Sequence, residues 1–185
     1  MTDVREVWKS IRALSDNDRS WLFAQLADWP PFQRFLASHD KGAGDVWQPT
    51  VVFDGGSRGN PGPGYGSYAL QFGACAAAGG DEPPQVTHLE FEEEMTNNEA
   101  EYEALIRALE DLRGRLTAMG ADPRQCEVAV HGDSRLVINQ VTGVWKARDP
   151  RMLQRRNRVR ELLRSFGSVS FEERDREEIE EVLGH

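Results

Sequence analysis

Three acids fall where side-chain chemistry is expected. Asp54 closes the short apolar run Val51-Val52-Phe53, and a Gly-rich stretch follows it: Gly55-Gly56-Ser57-Arg58-Gly59-Asn60-Pro61-Gly62. Glu101 sits just past Thr96-Asn97-Asn98, where a helix would begin, and Asp133 lies in Gly132-Asp133-Ser134, after a second apolar run. A carboxylate at the end of a buried strand is costly unless something pairs with it. Acids brought together repel and raise one another's proton affinity until a cation neutralises them. Hard oxygen donors favour Mg²⁺ or Mn²⁺. Two such ions about 4 Å apart can clamp the attacking and leaving oxygens of a phosphodiester. Each acid alone also reads as a cap or turn residue, Glu101 above all, because Glu is common in first helical turns.

The elements that would carry these acids are legible as patterns. Val51 to Asp54, Tyr65 to Cys75, Gln85 to Glu92, Glu127 to His131 and Val169 to Glu172 read as five strands, with a turn over Gly79 to Pro84. Thr96-Asn97-Asn98 reads as a cap for a helix from Glu99 to Met119, whose Tyr102, Leu105, Ile106, Leu109 and Leu112 share a face. Leu136 to Val141, Arg151 to Phe166 and Arg176 to Leu183 read as further helices. Three strands in succession followed by alternating helix and strand predict an α/β fold, a mixed sheet with helices on its faces.

Before this domain, residues 1 to about 45 read as a small helical module. Val4, Val7, Trp8, Ile11 and Leu14 have helical spacing. Ser15 and Asp18 resemble a capping box, Trp21, Leu22, Leu26 and Trp29 continue an apolar face, and Pro30-Pro31 ends it. Phe32, Phe35 and Leu36 mark a third short helix, and Lys41 to Asp45 a linker. The Trp-rich helices are a candidate surface for a partner or a second copy, or a plain stabilising cap.

Composition sets further expectations. At 39% hydrophobic the 185-residue chain can bury a core, but no apolar run approaches the roughly 18–20 residues of a membrane span. No signal-peptide apolar region opens the chain, and Cys75 and Cys126 are too few for a disulfide framework, so a cytoplasmic protein without a membrane partner is expected. The net charge of −9 alone argues against a nucleic-acid binder. Its distribution argues otherwise: Val144 to Arg164 holds eight basic residues against two acids. That segment is either a face for a polyanion or a solvated helix surface, and Arg155, Arg156 and Arg158 are its candidate phosphate contacts.

Taken jointly, Asp54-Gly-Gly-Ser-Arg-Gly-Asn60-Pro-Gly, Thr96-Asn97-Asn98-Glu-Ala-Glu101-Tyr102 and Gly132-Asp133-Ser134 closely resemble ribonuclease H, type 1. The likeness is to the compact bacterial and archaeal branch without the basic handle helix, and it covers roughly Thr50 to the C-terminus. It implies the ribonuclease H-like fold: a five-stranded mixed sheet, its first three strands antiparallel, with flanking helices. It also implies a hydrolase that cuts the RNA strand of RNA–DNA hybrids by two-metal-ion catalysis with Mg²⁺ or Mn²⁺, giving 3′-OH and 5′-phosphate ends.

By this resemblance Asp54, Glu101 and Asp133 are catalytic metal ligands. Gly56, Ser57, Arg58, Asn60, Asn97 and Asn98 face the RNA strand, where short polar groups and backbone can reach a 2′-OH. Trp145 and Lys146 lie on the DNA side, stacking and neutralising phosphate. Asn97 and Asn98 as a helix cap, and Trp145 as simple packing, are the competing readings. The family's final Ala-Asp-x-Leu-Ala is absent. Matching Leu183-Gly184 to Leu-Ala puts Glu181 in the fourth acid's place, whereas matching Arg176-Glu177 to the family's Arg-Glu puts Leu183 there. Glu181 is favoured because Arg174 then also falls into place; Glu180 and Asp175 are the alternatives. The family's mobile His lies in the last loop, so His131 on its strand reads as structural; that loop has no His here, which leaves Arg174 or Arg176 as candidates for product release. The rival functions are a hybrid-binding module without catalysis and a nuclease of the same fold acting on another nucleic acid.

Overall fold

The computed structural model describes residues 47–72 and 83–184 and twelve positions between 10 and 30. Two compact units divide the chain, Met1–Gly44 and Asp45–His185. In the first, Asp18 N donates to Ser15 Oγ at 3.1 Å, one arm of a capping box, and Ser15 Oγ donates to Asp18 Oδ2 at 2.6 Å, a bond between the two side chains. Helical turns include Trp21, Leu22, Gln25 and Leu26; Trp29 is non-helical, and Pro30 is helical again. The short helix expected around Phe32 to Leu36, the linker at 41–45 and most of the turn before Pro84 lie outside the described residues.

The second unit is a five-stranded sheet ordered β3-β2-β1-β4-β5. Strands β1 (Thr50–Ser57), β2 (Gly62–Gln71) and β3 (Gln85–Met95) pair antiparallel. Strand β4 (Glu127–Gly132) runs parallel to β1, and β5 (Ser168–Glu173) parallel to β4. Helix α1 spans Asn97–Ala118, α2 Arg135–Thr142, α3 Pro150–Leu163 and α4 Arg176–Leu183. The five-stranded mixed sheet expected from the sequence is therefore present. Strand β2 starts earlier than its apolar pattern predicts, because Gly62 and Gly64 already pair in the ladder, and its expected end at 73–75 lies outside the described residues.

Alternation along β1 assigns its two faces. Val51 and Phe53 enter the large core with Tyr102, Leu105 and Leu109 of α1 and Val159 and Leu162 of α3. Val52 points the other way and packs with Ala69 and with Ile179 and Leu183 of α4. Successive side chains of a strand leave opposite faces, so Asp54 shares the α4 side with Val52, and Gly55 shares the α1 side with Phe53. Strand β3 is an edge, and Glu90, Glu92, Glu93 and Glu94 blunt it with charge.

Candidate active site

Asp54 comes from the central strand, Asp133 from just past the parallel neighbour β4, and Glu101 from the first turns of α1. What joins β1 to α1 is a glycine. A Cβ built on Gly55 would lie 2.5 Å from the Ala100 carbonyl carbon and oxygen and from the Glu101 nitrogen. Only a residue without a side chain lets the strand touch the helix backbone there. Gly132 serves β4 in the same way, since a Cβ on it would stand 2.6 Å from the Phe53 ring.

The acids sense one another. Burial pushes the Glu101 carboxyl up to about 7; the charges of Asp133 and Asp54 add to that rise, and a hydrogen bond from Ser134 opposes it. Burial, followed by the Asp54 charge, raises Asp133 as well, with Arg176 opposing and Glu180 adding. Ser134 holds two jobs: its hydroxyl donates to Glu101 Oε2 and accepts from Val137 N at 3.4 Å, capping α2. Sequence reasoning passed over Ser134 as a site residue, although a Ser directly after the strand-end acid is a helix-start signal.

The fourth acid is read differently from the structure than from the sequence. Glu181 is exposed on α4. Its neighbour Glu180 is half-buried, its charge reaches Asp133, and it accepts from Arg176 Nε at 2.7 Å. The reason is rotational. Ile179 and Leu183, one turn apart, are buried against Val52 and Ala69, and each further residue turns about 100° around the helix. That registration carries Arg176 and Glu180 toward the Asp54 edge. Arg176 lies in the field of both Asp54 and Asp133.

Donor chemistry fits a divalent cation: oxygen-only ligands, two of them raised by burial and mutual repulsion. Among the described residues, no three His, Cys, Asp or Glu side chains are grouped so that they could hold a metal ion. Glu101 is turned onto Ser134, and Glu180 is paired with Arg176.

The expected nucleic-acid contacts gather beside this edge. Asn97 Oδ1 accepts from both Ser57 N and Ser57 Oγ at 2.9 Å, and Asn97 N donates to Asn60 Oδ1 at 3.3 Å. The Gly-rich turn is thereby tied to the head of α1. Thr96, not Asn97 or Asn98, is the helix cap; both asparagines are exposed in the first helical turn. Gly56 is buried against Tyr65, with 2.6 Å between a would-be Cβ and the phenol oxygen. Arg58 forms two hydrogen bonds to Glu90, at 2.7 and 2.8 Å, and lies over the Tyr65 ring. Trp145 is 43% exposed, with Arg135 6.0 Å from its ring centroid, and Lys146 is exposed.

The basic helix is a different matter. Arg155 bonds Glu103 at 3.0 Å and Glu99 at 3.2 Å, and Arg158 bonds Glu110 at 2.7 Å and Glu161 at 3.1 Å. Their charge is engaged chiefly by the acids of α1. The run read along the chain as a phosphate track is, for these two residues, one half of a helix–helix ion-pair seam. His131 is within 3.4 Å of Glu172, and burial and Arg174 hold its imidazole below the ordinary range.

The sheet order and this carboxylate edge define an α/β domain of the Reverse transcriptase-like family, whose family model matches residues 84–182. A curated relative, "Ribonuclease HI" of Halobacterium salinarum, is 41% identical over 122 residues, which is 65% of this chain and 53% of the relative. The chain thus spans about half the length of that relative. The crystal structure of RNase H1 from the same archaeon is 37% identical, covers 72% of this chain and 89% of that one, and gives a TM-score of 0.57. LC11-RNase H1, isolated from compost by a metagenomic approach and solved in complex with an RNA/DNA hybrid, is 32% identical. That match covers 70% of this chain and 87% of that one, with a TM-score of 0.54. The chain belongs to the ribonuclease H family, type 1.

Proposed function

We propose that this chain is an endonuclease that hydrolyses the RNA strand of RNA–DNA hybrids, leaving 3′-OH and 5′-phosphate ends. The observation that carries the reading is the meeting of Asp54, Glu101 and Asp133 at one sheet edge, where burial first, and then their mutual repulsion, raises the proton affinity of Glu101 and Asp133. The relative solved with an RNA/DNA hybrid supports the substrate class.

Ribonuclease H enzymes use divalent metal ions. Here Asp54, Glu101, Asp133 and Glu180 would hold them, as two Mg²⁺ or Mn²⁺. Once bound, such ions supply Lewis-acid activation and stabilise charge on the scissile phosphate. The chain's own residues position the substrate. Ser57, Asn60, Asn97 and Asn98, with the backbone at Gly56, form a polar shelf for the 2′-OH groups of one strand. Trp145 and Lys146 contact the other strand by stacking and charge. Arg58 stays paired with Glu90 at the rim of that shelf. Ser134 orients Glu101 by its hydroxyl.

In the same proposal residues 1–45 are a helical module and 46–185 the catalytic domain. Trp21 and Trp29, 65% and 55% exposed, support a protein partner or a second copy for the module. No helix among the described residues is long and apolar enough to cross a membrane, and the cytoplasm is the proposed compartment.

The test compares end-labelled hybrid, double-stranded RNA and double-stranded DNA across a Mg²⁺ and Mn²⁺ titration. Cleavage confined to the RNA of the hybrid, lost in Asp54→Asn, is the expected result. Binding of the hybrid without cleavage at any metal concentration would instead make the chain a recognition module.

A further inference from the structure

Glu99 is 2% exposed, yet it is charged and lies two residues from a proposed ligand. Its two carboxylate oxygens face different ways. Oε2 accepts from Thr96 N and Thr96 Oγ1, both at 2.9 Å, and Thr96 Oγ1 in turn accepts from Glu99 N at 3.3 Å. Oε1 faces α3, where it meets Arg155 Nη1 at 3.2 Å and Arg151 Nη1 at 3.4 Å. A neutral Gln would complete the capping box equally well. The buried negative charge therefore serves the other oxygen, the one turned to the arginines. A buried charge is tolerated when both of its sides are satisfied in this way.

Arg155 is the more enclosed of the two partners, its side chain 15% exposed, and its Nε also bonds Glu103 at 3.0 Å. Glu99 and Glu103 are one turn apart and share a face of α1. Glu101 lies between them, about 200° round the helix from Glu99. Arg155 thus grips α1 on the face opposite the one that presents Glu101. Gly55 bears on the helix backbone at Ala100 and Glu101. On the Oε2 side, Thr96 adjoins Asn97, whose side chain ties down Ser57.

We infer that Glu99 and Arg155 are positioning residues. Their buried pair sets the rotation of α1's first turn, which aims Glu101 at the metal edge and seats Thr96-Asn97-Asn98 against the Gly-rich turn. The inference rests on the ribonuclease reading above for what is being positioned. It assigns a largely enclosed arginine of the basic helix to active-site geometry, not to phosphate.

Glu99→Gln, Arg155→Ala and Arg155→Lys are compared with the wild-type full chain, well below the melting temperature of each. Mg²⁺ affinity is read by calorimetry, and KM and kcat by hybrid cleavage. Glu99→Gln and Arg155→Ala are expected to weaken Mg²⁺ binding or raise KM by at least about threefold, with Arg155→Lys partly restoring the loss because it keeps charge but not the fork. A lowered melting temperature with Mg²⁺ affinity and KM both changed less than threefold overturns the inference, since that is all a stabilising pair would do. If Glu99→Gln does not fold, the two Arg155 variants decide. If the wild type cuts no hybrid, the ribonuclease reading falls, while the Mg²⁺ affinities still judge the pair.

Discussion

Gly55 of the central strand bears directly on the peptide nitrogen of Glu101, with no room for a methyl group between them. Every near atom is backbone, so nothing can swing aside. Gly55→Ala is expected to destabilise the domain by about 1–3 kcal/mol in a urea melt. The survivors should have lost hybrid cleavage, because any relief moves Glu101 away from Asp54. An alanine variant with wild-type stability and rate would contradict this geometry.

Glu180 and Glu181 separate cleanly. Glu180→Gln should raise the Mg²⁺ concentration for half-maximal cleavage by roughly tenfold, a size typical of disturbed metal sites. Glu181→Gln should leave it within about twofold. The reverse pattern would restore Glu181 as the fourth acid.

The metal-free protein should lose stability as pH rises. Glu101 titrates at about 7 in the fold against an ordinary value of 4.5, so the folded state holds the extra proton between the two. Where the folded state binds more protons than the unfolded, stability falls with pH. The contribution is fully present below about 4.5 and is lost as pH passes through about 7. It amounts to something on the order of 3 kcal/mol. Asp133, also raised, adds in the same direction. Glu101→Gln should flatten this slope in thermal melts from pH 5 to 8 taken with a chelator present.

Salt dependence tells which cations meet phosphate. Lys146→Ala should reduce the slope of log affinity against log salt by about one. Arg158→Ala should leave that slope alone, because Arg158 is engaged by Glu110 and Glu161. As an exposed pair it should cost less than about 1 kcal/mol of stability. A lowered slope for Arg158→Ala would return that residue to the phosphate track.

The strand-end acids were legible because a buried run that stops at a carboxylate is a local pattern. Helix α1 was legible for the same reason, its apolar face repeating over many residues. What escaped depends on partners distant in the chain. Arg155 and Arg158 read as a free basic face because Glu99, Glu103 and Glu110 belong to another helix, and composition cannot show which helix faces which. Glu180, named from the sequence only as an alternative to Glu181, differs from it by one residue, which on a helix is a rotation of about 100°. The spacing of Ile179 and Leu183 held the clue to that rotation, but only β1 and β2 tell which way the pair must face. Ser134 was passed over because its bond to Glu101 needs the approach of α1 to the end of β4.

The parallel pairing of β1 with β4 has a consequence for the living chain. Asp54 and Asp133 belong to segments made at different times, with all of α1 between them in sequence. No contiguous fragment ending before β4 carries both acids, and a ladder shifted in register would set them at different heights. Under the proposed ribonuclease reading, hydrolysis would therefore wait until the long-range β1–β4 ladder closes. In that proposal, activity doubles as a report that the two halves of the chain have paired in register.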